Sequence, residues 1–392
     1  MAERSILDEL LATFPKTVKT DWIQVASSEL GGNDPFEKLA WSAHTGIPFA
    51  PYYDNSDRQL LGYQNNFQFK ASENSFNGHR AWSNMPRVTI TDEKTANQTA
   101  RHHLMQGADG IVFESSQSAF QLRSLLDNID WPYCAISFFA TAQSTLPQSI
   151  LQYCLDKSYN SKQVEGAIFS PTLAASFGER SSSLTPSCDA ETINAFRIFE
   201  KFKPLGVFTA NSSPTQALTE CLLQGTHLFD HYLDRGVDRE TIAHAVAFSI
   251  PIGNDFLTGI ATLKALRLLW YQIAKAYQCE TFEPHHLHIH VRAEVFGSDT
   301  LQPHANMLNG TTASIAAICG GCNALTVYEE DEQNTLMQRM ARNTSVLLRE
   351  ESHFDKAADP TAGAFAIDAL TDAIAQQAWQ QFQAQLVNPP KS

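Results

Sequence analysis

From about Arg80 onward, short runs of apolar residues alternate with longer stretches whose apolar positions recur every three to four residues. Runs that are apolar at nearly every position are typical of parallel strands buried on both faces, and the longer stretches are typical of helices. The pattern predicts seven strands: Gly110–Phe113, Tyr133–Phe139, Gly166–Phe169, Leu205–Thr209, Ala245–Ile250, Leu287–Val291 and Ala324–Tyr328. We take Ala364–Ile367 as the candidate for an eighth strand. This many units over roughly 300 residues favours an α/β fold, a (β/α)8 TIM barrel, over a smaller open sheet.

Helices are predicted between these strands. They are Lys94–Met105, Ile150–Asp156, Glu191–Lys203, Thr215–Asp234, Asp255–Tyr277, Thr311–Ala317, Glu332–Leu348 and Leu370–Leu386. Asp255 is a candidate N-cap for its helix. In that helix Ile260, Leu263, Leu266 and Tyr271 form an apolar stripe, and Lys264 and Arg267 lie off it.

The first 75 residues differ in character from the rest of the chain. A helical pattern over Ser5–Phe14 is followed by aromatic residues set among polar ones, namely Tyr52, Tyr53, Tyr63, Phe67 and Phe69. Aromatic side chains on an irregular segment indicate packing along a larger body. We therefore expect residues 1–75 to form an N-terminal arm that packs on the barrel or on a partner. Residues 76–388 would form the barrel domain and residues 389–392 a tail or linker.

Composition narrows the possible partners and the compartment. The net charge is −14, which argues against nucleic acid and anionic membranes as partners. No run of roughly 18 apolar residues predicts a membrane span. The seven cysteines are an odd number scattered along the chain, and the first residues lack the basic and apolar stretches of a signal peptide. A cytoplasmic location is expected.

Several separated motifs occur in a characteristic order. They are Gly31-Gly-Asn-Asp-Pro35, Arg80-Ala-Trp82, Gly107-Ala-Asp-Gly110, Ile260–Trp270, Thr311-Thr312 with Gly320-Gly321, Arg342–Ser352, Asp359–Gly363 and Leu370–Trp379. This order and spacing resemble the methylmalonyl-CoA mutase family over nearly the whole chain. The resemblance implies a barrel that encloses a CoA ester. It also implies isomerisation of methylmalonyl-CoA and succinyl-CoA through radicals generated from adenosylcobalamin, which a separate C-terminal domain holds through an Asp-x-His-x-x-Gly loop.

The residues that perform chemistry in that family are replaced here. No Asp-x-His-x-x-Gly sequence is present. Arg87 stands at the position of the family's active-site tyrosine, and Phe169 replaces a glutamine that contacts the substrate. The family's Tyr-His pair falls near Thr209 and Ala210, and Gly310 replaces the arginine of an Arg-Thr-Thr motif. The arginine expected around Asp189–Thr192 is also missing.

This pattern resembles the small subunit of heterodimeric bacterial mutases. It implies a structural chain that binds no cofactor itself and pairs with a large catalytic subunit, which carries adenosylcobalamin. One alternative is a catalytic acyl-CoA mutase barrel that works with a cobalamin domain on a separate chain. Another is a metal-dependent TIM-barrel hydrolase that uses His286, His288 and His290, which alternate along one strand.

Three further features have two interpretations each, and a fourth has one. Arg292 and Glu294 follow a strand at the end where barrel enzymes place their active sites. We predict an ion pair that fills a remnant pocket, with a new acid–base pair as the alternative. Cys319-Gly-Gly-Cys322 predicts a helix C-terminus rather than a redox or zinc site. Ser181–Ser187 and Glu329–Glu332 are interpreted as polar loops, the second also as a possible contact for a basic partner.

Overall fold

The computed structural model describes residues 13, 17–42, 47–57, 80–115, 120–140, 146–170, 189–210, 213–294 and 305–387. Its strands are β1 (Trp41–Ser42), β2 (Pro48–Phe49), β3 (Ser83–Asn84), β4 (Arg87–Thr89), β5 (Gly110–Ser115), β6 (Ala135–Ala140), β7 (Gly166–Ser170), β8 (Phe202–Phe208), β9 (Val246–Ile252), β10 (His288–Ala293) and β11 (Ala324–Val327).

The helices are α1 (Lys19–Glu29), α2 (Pro35–Lys38), α3 (Glu93–Met105), α4 (Leu122–Leu125), α5 (Leu146–Asp156), α6 (Ala190–Phe196), α7 (Pro214–Leu233), α8 (Arg239–Ala245), α9 (Phe256–Ala276), α10 (Ala305–Gly320), α11 (Thr335–Glu350) and α12 (Phe365–Val387). Short 3-10 turns cover Asn55–Asp57, Trp131–Tyr133, Ser161–Gln163 and Pro284–His286.

Strands β3 to β11 form one parallel sheet that closes on itself. Neighbouring strands follow chain order from β4 to β11, and β11 then pairs with β3. Because β3 and β4 are separated only by Met85 and Pro86, they act as one bent strand that joins both ends of the sheet. Pro86 has no N–H to donate and so interrupts the ladder, while its carbonyl oxygen still accepts from the Val112 N–H at 3.0 Å. The fold is an α/β (β/α)8 TIM barrel, as predicted.

The seven predicted strands are all present, but the eighth was placed wrongly. Residues 364–367 lead into α12 instead of forming a strand. The missing strand is the bent first one, residues 83–89, which has few apolar residues and contains a proline. The helix predicted over Glu191–Lys203 ends at Phe196, and Phe202 and Lys203 begin β8.

The motif over Arg342–Ser352 holds the first strand in place. Arg349 on α11 pairs with Asp109, with Nη2 2.7 Å from Oδ2, and donates to the Trp82 carbonyl oxygen at 2.7 Å. Trp82 in turn donates from Nε1 to Ser345 Oγ at 2.8 Å. These contacts join the segments before β3 and β5 to the same helix, so the motif stabilises closure of the barrel.

Helix α9 is buried around its circumference because α12 packs on its outer side. Asp255 caps it, accepting from the Thr258 N–H at 3.3 Å, as predicted. Lys264 and Arg267, which lie off the apolar stripe, are nonetheless buried. Lys264 pairs with Asp359 at 3.0 Å, and Arg267 donates to three carbonyl oxygens and to Asn323 Oδ1.

The described part of the N-terminal segment contacts the barrel. Ile47 is buried in the main core, and Phe49 packs against it. Trp22 on α1 stacks on Tyr52, with ring centroids 5.0 Å apart. Tyr63, Phe67 and Phe69, and the predicted helix over residues 5–14 except Thr13, lie outside the described residues, as does the predicted tail.

Candidate functional site

Five side chains fill the barrel axis toward the carboxyl ends of the strands. Phe139 on β6 has its ring centroid 5.4 Å from that of Phe169 on β7 and 5.3 Å from that of Phe208 on β8. The imidazole of His290 on β10 lies 5.5 Å from both Phe139 and Phe169. Arg292 completes the set, with Cζ 3.7 Å from the ring centroid of Phe208. We call these five residues the axial plug.

The ring of Phe169 fits because the facing residue on β8 has no side chain. A Cβ atom on Gly206 would lie 2.5 Å from Phe169 Cδ1 and 2.3 Å from the Ile168 carbonyl oxygen. Neither distance is sterically possible. Phe169 is 0% exposed, so its ring is a buried hydrocarbon on the axis.

Arg292 is fully buried and forms the predicted ion pair. Its Nε lies 3.2 Å from Glu294 Oε1, and Nη2 donates to the Thr209 carbonyl oxygen. Burial lowers the pKa of Arg292, and the Glu294 carboxylate opposes that shift. With its plane near the Phe208 ring, the guanidinium acts as a packed element of the core.

Arg87 lies at the mouth of the barrel within a second cluster. Its guanidinium contacts Glu114 at 3.2 Å, Glu329 at 3.6 Å and also Glu332, and Cζ lies 4.4 Å from the Tyr328 ring centroid. Burial alone would lower the pKa of Arg87, but Tyr328 and the three carboxylates together raise it. We call these five residues the mouth cluster. The run at Glu329–Glu332, interpreted as a polar loop, therefore supplies two ion-pair partners of a half-buried arginine.

The structure brings some of the predicted positions together and separates others. Arg87, Phe169 and Thr209 all lie at the carboxyl end of the barrel, where Thr209 is 0% exposed. Ala210 follows Thr209 and is exposed. Gly310 lies in α10, outside the strand ring, where a Cβ would meet Val327 Cγ1 at 3.6 Å.

The sequence did not identify Phe139, Phe208 and Tyr328 as parts of these clusters. Phe139 and Phe208 lie on β6 and β8, and their rings pack inside the barrel. Tyr328 directly follows β11. The alternation of side chains along a strand could have placed them inside the barrel once the register was known.

The alternating histidines serve different structural roles. His286 lies in the 3-10 turn before β10, where Nδ1 accepts from the Glu283 N–H at 2.9 Å. His290 contacts Ser249 Oγ through Nδ1 at 2.8 Å and Thr326 Oγ1 through Nε2 at 2.9 Å.

The protonation of His290 follows from its neighbours. Thr326 has one hydroxyl hydrogen and donates it to the Met85 carbonyl oxygen at 2.6 Å, so Nε2 of His290 carries the proton and Nδ1 accepts. Burial holds the pKa of His290 well below its ordinary value, and the ring is neutral. In the described parts of the chain no group of three or more His, Cys, Asp or Glu side chains could hold a metal.

Cys319 and Cys322 lie where a helix end was predicted. Helix α10 ends at Gly320, and Gly321 has a φ of 91°, which only glycine adopts readily. Both thiols are free and buried, and burial raises the pKa of Cys322 to about 12. A thiol so resistant to ionisation is a poor redox or metal-binding group. The Ser181–Ser187 loop lies outside the described residues.

The resemblance implies adenosylcobalamin, whose cobalt is held by a histidine. The described residues of the plug and the mouth do not fit such a group, because their one imidazole, His290, is bonded through both nitrogens. The mouth cluster offers an arginine surrounded by carboxylates. We therefore derive no step that involves the cofactor on this chain.

Comparisons with known proteins show which family the chain is similar to. Residues 205–385 match the family model "Methylmalonyl-CoA mutase". Over these residues the chain is similar to the methylmalonyl-CoA mutase family. It is 27% identical to the methylmalonyl-CoA mutase small subunit of Porphyromonas gingivalis, over 96% of this chain and 64% of that protein. It is 24% identical to the small subunit of Streptomyces virginiae, over 95% and 64%, and 23% identical to the methylmalonyl-CoA mutase of Rhizobium meliloti, over 93% and 57%.

The chain thus spans less than two thirds of the length of these relatives. Among solved structures, a dihydropteroate synthase from Yersinia pestis matches with a TM-score of 0.37 and 13% identity, over 68% of this chain and 92% of that one. Among the described residues, no helix is both long and apolar enough to cross a bilayer.

Proposed function

We propose that this chain is the small, non-catalytic subunit of a heterodimeric methylmalonyl-CoA mutase. A large subunit would bind adenosylcobalamin and interconvert methylmalonyl-CoA and succinyl-CoA, and this chain would stabilise it. Three similar proteins are named small subunits, which supports a partner of this kind. The free thiols among the described cysteines fit a cytoplasmic location.

The observation that carries the proposal is the axial plug. A barrel that encloses a CoA ester needs an open passage for the long pantetheine arm, since ligand sites are cavities that bury most of the ligand. Here Phe139 and Phe169 are at most 5% exposed, and Arg292 is 0% exposed. Opening a passage would require several packed rings and a paired guanidinium to move together.

The chemistry of the same region supports the proposal. A general acid for a thioester carbonyl must lie within hydrogen-bond reach of it and carry an available proton. The His290 proton is committed to Thr326. Arg87, at the position of the family's tyrosine, is held by the carboxylates of the mouth cluster. Neither side chain is poised to act on a substrate.

The test is to produce this chain with and without the large mutase subunit from the same genome. We expect the two chains to co-purify as a 1:1 complex by light scattering. We expect cobalamin and acyl-CoA to bind in one equivalent per complex, and the isolated chain to bind neither in equilibrium dialysis. Mutase activity should require the large subunit and should fall when this chain is omitted.

Two results would contradict the proposal. Micromolar binding of a CoA ester by the isolated chain would mean that the axis opens. Turnover after this chain is mixed with a free cobalamin domain, without a large subunit, would support the catalytic alternative.

A further inference from the structure

A cleft with a volume of about 790 Å³ lies at the amino end of the barrel, opposite the mouth cluster. Its floor is formed by residues at the start of three strands, namely Glu165 before β7, Lys203 on β8 and His288 on β10. Neither the plug nor the mouth cluster contributes to it. The cleft is therefore separate from the region considered above.

Lys203 brings a buried positive charge to this floor. It is 6% exposed, and its Nζ donates to the carbonyl oxygens of His244 at 2.8 Å and Glu200 at 3.2 Å. An ammonium group has three hydrogens, so one remains available. No carboxylate oxygen of the described residues lies within the 4.0 Å of an ion pair with it. Glu165, on the same floor, favours the charged form of Lys203 but forms no ion pair with it. A carboxylate that came closer would therefore stabilise this buried charge further.

His288 supplies a second unused polar group. Its side chain lines the cleft and the residue is 8% exposed, and Nε2 is buried without a hydrogen-bond partner. Burial, with a smaller effect of Lys203 and Arg267, lowers its pKa to about 3. The ring is neutral, and an acceptor that penetrates from the cleft to the buried Nε2 would receive its proton.

One wall of the cleft is apolar. Ile193, Phe196, Phe199 and Phe202 line it, and the ring centroids of Phe196 and Phe202 lie 5.3 Å apart. Such a wall favours a ligand with a hydrocarbon body over a fully polar one.

The remaining groups disfavour a phosphate. Glu165 also lines the floor, so a dianion would be repelled more strongly than a monoanion. The N-terminal backbone amides of α8 are not free to bind a phosphate, because Asp238 caps that helix by accepting from the Thr241 N–H at 3.1 Å. Glu240 accepts from both the N–H and the hydroxyl of Thr281. One ammonium group and one imidazole can together donate enough hydrogen bonds for a single carboxylate.

We propose that this cleft binds a monocarboxylic acid with a small apolar body. Its carboxylate pairs with Lys203 and accepts a hydrogen bond from His288, and its hydrocarbon part packs on the phenylalanine wall.

The experiment titrates the purified chain with hexanoate and benzoate in a calorimeter. We expect saturable binding with a Kd of about 0.1–1 mM, which is usual for ligands of about eight non-hydrogen atoms. The neutral 1-hexanol, the cationic hexylammonium and inorganic phosphate should each bind at least tenfold more weakly. This comparison uses the unchanged protein and so does not depend on any variant folding.

Variants locate the site. Lys203→Met should weaken hexanoate binding at least tenfold, while Lys201→Met, which removes an exposed lysine of the same rim, should change it less than twofold. Glu165→Gln should leave binding equal or tighter. Circular dichroism and thermal melting establish that each variant is folded.

The proposal is overturned by any of three results. These are no saturable binding of either carboxylate, equal binding of phosphate or hexylammonium, or equal hexanoate affinity in folded Lys203→Met and Lys201→Met. All three are independent of whether a large mutase subunit binds this chain.

Discussion

Replacing Phe169 by alanine tests whether the barrel axis is packed. Complete burial of a phenylalanine side chain contributes about 2–3 kcal/mol, and the side chain is 0% exposed. The two ring contacts, with Phe139 and His290, add about 0.5–1.5 kcal/mol each. The backbone on both sides is held in a closed sheet and cannot collapse into the space. We expect a loss of about 4 kcal/mol, within the range for Phe→Ala in cores.

Thermal unfolding followed by circular dichroism measures this loss. With about 2.1 cal/mol/K of unfolding entropy per residue, the 392 residues give about 0.8 kcal/mol/K, so the Tm should fall by about 5 °C. Phe256→Ala is the matched control, because Phe256 is 37% exposed and should cost about 1 °C or less by the same conversion.

Adding benzene gives the experiment a second measurement. The space left by the ring is lined by apolar atoms and should stay dry, so benzene should bind there and raise the Tm of the alanine variant but not of the wild type. Equal Tm values for Phe169→Ala and Phe256→Ala, with no response to benzene, would refute the packed axis and remove the main support for a non-catalytic chain.

Three further predictions concern the barrel and its surroundings. Gly206→Ala should lower the Tm more than Phe169→Ala does, and combining the two should not restore it, because the clash with the Ile168 carbonyl oxygen remains. Burial lowers the pKa of His103 from 6.5 to about 4 in the folded protein. Because the unfolded chain binds this proton more readily, the contribution of His103 to the free energy of unfolding is complete above pH 6.5. It falls by about 3 kcal/mol in all as the pH falls toward 4. Urea unfolding at pH 7 and pH 4.5 should show a smaller acid loss in His103→Asn than in wild type, and equal losses would contradict this. Arg87→Met should destabilise by about 1–3 kcal/mol at pH 7, because the mouth carboxylates lose their partner. The loss should be smaller in acid, because burial raises the pKa of Glu329. The exposed Arg123→Met should cost under about 1 kcal/mol, and a similar cost for both variants would argue against the cluster.

The sequence predicts the strands well where their burial requires continuous apolar runs, as for Ala135–Ala140 and Val246–Ile252. It fails at residues 83–89, because a bent strand that contains a proline has no such run. It fails again at residues 364–367, where an apolar stretch leads into a helix. The spacing of apolar residues in so short a run does not distinguish a strand from the start of a helix.

The candidate site was predictable in part. The ion pair of Arg292 and Glu294 follows from their spacing at a strand end. That Phe169 stands in place of a glutamine is expected from the family resemblance and stays a prediction. The contribution of Phe208 depends on how strands tilt around the axis, which no local pattern encodes. The cleft around Lys203 was missed for a related reason: this lysine was assigned to a helix, and its neighbours come from distant parts of the chain.

The bent first strand has a consequence for synthesis on the ribosome. Ser83 and Asn84 pair with Ala324 and Leu325, so about 240 residues must be translated before this edge finds its partner, roughly 12–48 s at usual elongation rates. An open edge is a template for pairing with other nascent chains. Pro86 lies within that edge and cannot donate to such a ladder. The residue that interrupts the ladder of the mature barrel therefore also disfavours pairing of the incomplete barrel with other chains.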